Sequence, residues 1–157
     1  MISCSPDRVR TTDLTEKQGD EIVDGVQQTL YDYFGAIERA GLTAEFAYLD
    51  NSPEFFWVPP GYSEAISYDS VEAILKQSAP RYRSVVNTWN TLRIIPLHQT
   101  LATYTGQLTS VMTDTSGVSN TIELVETGVV IKRKDGWKLL CGQTAVMTNT
   151  QPKETGQ

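Results

Sequence analysis

The feature that most constrains this chain is a pair of β-prone arms joined by Asp135-Gly136. The arms cover residues 121–134 and 137–147, and both are rich in β-branched and aromatic side chains. Asp-Gly between such arms predicts a hairpin with a type I′ turn, because that turn needs positive φ at both central positions. Two strands alone are marginally stable in water, so the rest of the chain must cover this ribbon.

A helical pattern precedes the ribbon. Apolar residues recur at steps of three and four from Ile22 onwards, which predicts a helix that is firm to Arg39. Thr12 or Asp13 is expected to cap its start, and Gly41 to end it. Residues 42–49 predict a short second helix.

The remaining segments predict further strands and one more helix. Strands are expected at residues 54–58, 62–68, 84–97 and 100–113, and a helix begins at Asp69 and ends before Pro80. Strands that follow helices in groups predict an α+β fold with an antiparallel sheet, across which the first helix lies.

Composition narrows the class of protein. The length of 157 residues favours one domain, which we expect at residues 13–148 between flexible tails at 1–12 and 149–157. The formal net charge of −6 argues against nucleic-acid binding. Cys4 and Cys141 are unlike in setting and predict neither a disulfide nor a metal site, and no motif calls for a cofactor. No apolar run reaches the length of a membrane span. We expect a cytoplasmic protein; the alternative is a trimmed lipoprotein or exported protein with Cys4 as the lipid site.

Three local patterns together resemble one family. Residues 36–42, 55–61 and 132–140 resemble a helix end, a first strand with its loop, and a closing hairpin of the SnoaL-like domains, which belong to the nuclear-transport-factor-2-like superfamily and occur in many bacterial proteins. The resemblance implies a curved antiparallel sheet wrapped by N-terminal helices into a cone, a cystatin-like or SnoaL-like roll, with a cavity and often a homodimer. It does not fix function, because the superfamily spans isomerases, dehydratases, carriers and assembly modules.

The resemblance also bears on catalysis. Tyr33 matches the tyrosine that ketosteroid isomerases of the superfamily use, but their carboxylate position falls near Val58. Many relatives carry histidines where Cys141 and Gln143 stand. We therefore expect no proton-transfer activity on steroid-like or polyketide-like ketones above background.

Candidate ligand contacts are aromatic or polar residues on the predicted stripe and strands. They are Tyr33, Trp57, Trp89, Tyr104, Glu123 and Gln143. Each has a structural alternative, since cores use the same aromatic residues as pockets. Glu123 and Glu126 have opposite parity on one strand, so one of them should face the concave side. The single histidine, His98, is expected at the surface.

Three hypotheses for function remain open. The first is binding of a small, mainly apolar molecule in the cone cavity. The second is an isomerase or dehydratase that uses Tyr33 and a cavity carboxylate. The third is a dimerisation module with an incidental cavity. Apolar residues on both parities of the late strands predict a homodimer through the sheet.

Overall fold

A computed structural model describes residues 14–148 of the chain. Its elements are helix α1 (Glu16–Ala40), a 3₁₀ helix (Leu42–Ala47), strand β1 (Phe56–Val58), helix α2 (Tyr68–Ser78), a 3₁₀ turn (Ala79–Arg81), and strands β2 (Tyr82–His98), β3 (Leu101–Asp114), β4 (Ser119–Arg133) and β5 (Gly136–Val146). This order confirms the predicted α+β fold. Cys4 and the two predicted tails lie outside the described residues.

The five strands form one sheet in the order β1-β5-β4-β3-β2. Strands β2 to β5 pair antiparallel as consecutive hairpins, as the sequence predicts. Strand β1 pairs parallel with β5, so the sheet is mixed. The chain reaches β5 from β1 only after α2 and three strands, so no tight turn fixes their relative direction.

The helix caps differ from the predicted ones. Thr15 caps α1, where its hydroxyl accepts from the Gln18 amide and Gln18 completes a capping box; Asp13 lies outside the described residues. Ser67, rather than Asp69, caps α2 by accepting from the Ser70 amide. The predicted ends hold, because α1 stops at Gly41 and α2 stops before Pro80.

Two predicted details of the strands are wrong. Arg133 pairs with Gly136, so the central residues of the hairpin turn are Lys134 and Asp135, one position earlier than predicted. Gly136 has a φ of 116°, which favours glycine at the start of β5. Residues 62–68 do not form a strand; Ile66 alone makes an isolated bridge there.

Helix α1 covers one face of the sheet with its apolar stripe. The buried residues of the stripe are Ile22, Val26, Leu30, Tyr33, Phe34 and Ile37. The Phe34 ring stacks on Trp89 of β2 at a centroid distance of 4.6 Å, and the Trp89 indole donates to the Leu30 carbonyl at 3.4 Å. We call the face of the sheet under α1 the inner face and the opposite one the outer face.

A β-bulge in β5 changes which side chains reach the inner face. Leu139 pairs with Val130 and Cys141 with Val129, so Leu140 is an extra residue in the ladder. Trp137 and Leu139 are buried before the bulge. After it the even-numbered residues take the inner face, and Thr144 is among them.

The segment after the 3₁₀ helix is fastened to the sheet. The Asp50 amide donates to the Leu139 carbonyl at 2.8 Å, and the Leu139 amide donates to the Tyr48 carbonyl at 2.8 Å. Arg133 donates two hydrogen bonds to the buried Asp50 carboxylate, at 2.7 and 2.8 Å. These bonds hold the 3₁₀ helix above the end of the inner face. No helix within residues 14–148 is long and apolar enough to cross a lipid bilayer.

Candidate functional site

A cavity of about 230 Å³ lies between the inner face and the helices. Most of its wall is apolar, with contributions from Phe34, Leu42, Trp57, Pro59, Pro60, Ile66, Val71, Ile74, Leu75, Val85, Leu108, Met112 and Leu124. The polar residues in the wall are Tyr33, Glu45, Asn87, Ser110, Glu126 and Thr144. Apolar walls with a few convergent polar groups are typical of small-molecule sites.

Glu126 lies at the centre of the polar groups. It is 5% exposed, and strand alternation places it on the inner face between Leu124 and Gly128. The Tyr104 hydroxyl donates to its Oε1 at 2.7 Å, and the Thr144 hydroxyl donates to its Oε2 at 3.0 Å. Three neighbouring strands thus fix this carboxylate from both sides.

Trp57 extends the network from the edge strand. Its indole N–H donates to the Thr144 Oγ1 at 3.0 Å. The absence of a side chain at Gly142 makes room for the ring, because a Cβ there would lie 2.6 Å from Trp57 Cη2. The indole, the Thr144 hydroxyl and the Glu126 carboxylate therefore form one chain of hydrogen bonds.

A second carboxyl group enters the cavity from the 3₁₀ helix. Glu45 is partly exposed as a residue, but its carboxyl group is surrounded by protein. Burial and the charge of Glu126 raise the pKa of Glu45 to about 8, although a hydrogen bond with Tyr33 opposes this. The same burial, with the charge of Glu45, raises the pKa of Tyr33 well above its ordinary value.

Burial also raises the pKa of Glu126, against the hydrogen bonds from Tyr104 and Thr144. The pKa of Tyr104 is raised well above its usual range by burial and by Glu126. Desolvation is thus the largest cause of the raised pKa in all four groups, which are Tyr33, Glu45, Tyr104 and Glu126. The arrangement can keep a carboxyl group protonated near neutral pH and can donate or accept hydrogen bonds inside an apolar space.

The predicted contacts fall in three places: the cavity wall, the core behind it and the outer face of the sheet. Tyr33 and Trp57 line the cavity. Tyr104 lies behind Glu126, and Trp89 is packed between Phe34 and Tyr104 in the core.

Two predicted contacts face away from the cavity. Glu123 is exposed on the outer face and accepts from Thr109 at 2.9 Å. Gln143 lies in a groove of the outer face beside Phe56 and Val58. If side chains alternated regularly from Trp137, Gln143 would lie on the inner face. The bulge at Leu140 shifts the alternation by one residue and places Gln143 on the outer face.

Other sequence candidates also lie outside the cavity wall. His98 is exposed, and its Nδ1 lies 3.2 Å from the Thr100 hydroxyl. Burial raises the pKa of the partly buried Cys141 thiol. Val58 lines the groove on the outer face, so its lack of a carboxylate has no bearing on which acids line the cavity.

Sequence reasoning missed Glu45 and Thr144. Glu45 lies between Leu42 and Phe46, and its spacing of three from Leu42 on a short helix was a signal for a shared inward face. Thr144 carried no such signal, because only the bulge turns it inward.

Comparison with known proteins identifies the family. A model of the SnoaL-like domain matches residues 26–148, and this chain belongs to that family. No curated protein matches the chain significantly.

Solved structures share the nuclear-transport-factor-2-like fold. A provisionally assigned scytalone dehydratase from Novosphingobium aromaticivorans superposes with a TM-score of 0.75 at 10% identity, covering 85% of this chain and 89% of that one. A provisionally assigned dehydratase of the NTF2-like family from Streptomyces avermitilis has a TM-score of 0.70 at 17% identity, covering 82% and 99%. The hexachlorocyclohexane dehydrochlorinase LinA-type3 from Novosphingobium barchaimii has a TM-score of 0.66 at 12% identity, covering 85% and 92%. At these identities the likeness is one of fold.

The substitution Glu45→Gln should flatten the dependence of stability on pH. The native pKa of Glu45 is about 8, against an ordinary value of 4.5. Between these values the native state keeps a proton that the unfolded chain has lost. The free energy of unfolding therefore falls as pH rises through this range, by up to about 1.4 kcal/mol per pH unit for one proton. Urea unfolding at a series of pH values measures the slope for both proteins.

Glu123→Gln is the matched control, because it removes a carboxylate from the exposed outer face. It should keep the slope of the wild type. Equal slopes for the wild type and Glu45→Gln would contradict this account of the cavity.

Proposed function

We propose that this domain binds a small, mainly apolar molecule in the cavity and orients it through Tyr33 and the carboxyl groups of Glu45 and Glu126. The observation that carries the proposal is an apolar space of about 230 Å³ whose wall holds Tyr33, Glu45 and Glu126 as its ionisable groups, with the charge of Glu126 acting on Glu45. A pocket of this kind gains affinity from its walls and selectivity from the few polar groups that a ligand must satisfy. The solved structures with the same fold include proteins described as acting on small organic molecules, which is compatible with this use of the cavity.

Tyr33→Phe should weaken ligand binding while the fold survives. The substitution removes one hydroxyl from the cavity wall and keeps the ring that packs on Phe34 at 5.1 Å. Stability should change by about 0.5–1.5 kcal/mol, the value of one hydrogen bond. A thermal-shift screen would first find a small apolar ligand, and calorimetry would then compare affinities.

Tyr31→Phe is the control for that experiment. Tyr31 lies on the same helix but is 51% exposed. It should bind the ligand as the wild type does. Equal affinity of Tyr33→Phe and the wild type would refute the role given to Tyr33.

A second candidate function is acid–base catalysis of the isomerase or dehydratase kind. The observation in its favour is Glu45, whose pKa of about 8 suits proton transfer near neutral pH and which interacts with the Tyr33 hydroxyl. The absence of the expected histidines does not count against Glu45, because Cys141 and Gln143 are not in the cavity wall. Turnover of a small ketone or alcohol that Glu45→Gln abolishes, with binding retained, would place this function first. Turnover that survives in Glu45→Gln would exclude Glu45 as its base.

We also propose a homodimer formed through the outer face of the sheet. A groove of about 340 Å³ there is lined by Phe56, Val58, Val125, Thr127, Gly142, Gln143 and Ala145. Phe56 is 46% exposed, which is a large apolar group to leave in water. A second copy would cover this face without closing the cavity. A dimerisation module with an incidental cavity would have the same interface but no ligand.

Val125→Glu should convert the dimer into a monomer. A charge in the middle of an apolar interface has to be desolvated without a partner. Light scattering at micromolar concentration measures the mass. Val118→Glu, at an exposed turn, makes the same change and should remain dimeric. A wild-type monomer under these conditions would refute the interface.

A further inference from the structure

The ionisable side chains in the cavity wall are all acids. Glu45 and Glu126 are its ionisable carboxyl groups, and no lysine, arginine or histidine of residues 14–148 lines it. The groups that face them from the surrounding elements are the hydroxyls of Tyr33, Tyr104 and Thr144, which are neutral hydrogen-bond partners. An unpaired charge in an apolar space is costly, and buried carboxylates in proteins usually have a cationic partner.

Asp50 shows how the same chain treats another buried carboxylate. It is 5% exposed, and Arg133 binds both of its oxygens at 2.7 and 2.8 Å. This pairing lowers the pKa of Asp50, whereas the pKa values of the cavity glutamates are raised. The fold therefore supplies a cation to the Asp50 carboxylate, and no cationic side chain of residues 14–148 lines the cavity beside Glu45 and Glu126.

We propose that the ligand of this cavity is an organic amine whose ammonium group binds between Glu45 and Glu126 and whose apolar body contacts the remaining wall. The proposal rests on the proposed binding function and gives its ligand class. An ammonium donates up to three hydrogen bonds and carries the charge that the wall lacks. The aromatic rings of Tyr33 and Trp57 in the same wall are also favourable neighbours for a cation. A carboxylate or phosphate ligand can form no such ion pair with either glutamate.

Binding of an ammonium group should release a proton. In the free protein near pH 7, Glu45 holds its proton because its pKa is about 8. The incoming ammonium stabilises the carboxylate form, so the Glu45 carboxyl group transfers its proton to the buffer and forms an ion pair with the ligand. A neutral ligand offers no such stabilisation and leaves the proton where it is.

Isothermal titration calorimetry with matched probes tests this directly. The amine is 2-phenylethylamine, the neutral analogue of the same shape is 2-phenylethanol, and the anionic analogue is phenylacetate. We expect the amine to bind at least about tenfold more tightly than the alcohol, since charge-assisted hydrogen bonds are about twice as strong as neutral ones. Titrations at pH 7 in phosphate and in the zwitterionic buffer BES differ in buffer ionisation enthalpy and so count the protons released. That count should be close to one per amine bound.

Variants assign the effect to the cavity. Glu45→Gln should abolish proton release and most of the preference for the amine. Glu126→Gln should also reduce that preference. Glu123→Gln removes the same charge from the outer face, where Glu123 is exposed, and should behave as the wild type. A preference that persists in Glu45→Gln but is lost in Glu123→Gln would overturn the proposal.

The outcomes separate this inference from the binding function beneath it. If the alcohol binds as tightly as the amine or more tightly, the amine proposal is wrong and the cavity remains a binding site for neutral molecules. If phenylacetate binds best, the charge argument is wrong. If none of the three probes binds in the wild type, the amine proposal fails for this shape of ligand, and the broader thermal-shift screen decides the binding function.

Discussion

The buried carboxylate of Glu126 is the group around which the inner face of the sheet is arranged. It accepts hydrogen bonds from Tyr104 and Thr144, and Thr144 in turn accepts one from the Trp57 indole. Leaving such a group without partners costs about 1–3 kcal/mol or more, and the cost is larger for a charge. The register of three strands and the position of the edge strand are therefore linked to one side chain, and the cavity lies where that side chain meets the helices.

The domain holds its buried acids in two ways, because Asp50 has a cationic partner and the acids of the cavity wall have none among residues 14–148. Asp50 is paired with Arg133 and fastens the segment after the 3₁₀ helix to β5. That fastening carries Glu45 to a position over the inner face, where it meets Tyr33 of α1. The carboxyl groups of Glu45 and Glu126 then line the same apolar space, and the charge of Glu126 opposes ionisation of Glu45. The ligand recognition that we propose for this pair would require both the fastened segment and the buried sheet network.

Sequence patterns predicted the order of elements and the family, because hydrophobic periodicity and turn residues act locally. The stripe from Ile22 to Ile37 and the stops at Gly41 and Pro80 are local features, and the structure has them. The hairpin turn was misplaced by one residue, since positive φ is taken by Gly136 at the start of β5.

Side-chain direction in the site was harder to predict than the elements. Alternation identified Glu126 as one of two acids that could face inward, and Tyr33 and Trp57 were found from their residue types. The bulge at Leu140 depends on pairing between β4 and β5, and it moved Gln143 out of the cavity and Thr144 into it. Glu45 was missed because its partner Tyr33 is brought to it by tertiary packing.

The most direct measurement of the central claim is the protonation of Glu45 in the native protein. Carbon-13 labelling of glutamate side chains allows each carboxyl carbon to be followed by NMR as pH is changed, and the spectrum of Glu45→Gln identifies the signal of Glu45. The account predicts a titration midpoint near 8 for Glu45. A Glu45 signal with a midpoint near the ordinary value of 4.5 would contradict a buried carboxyl group without a cationic partner in this cavity.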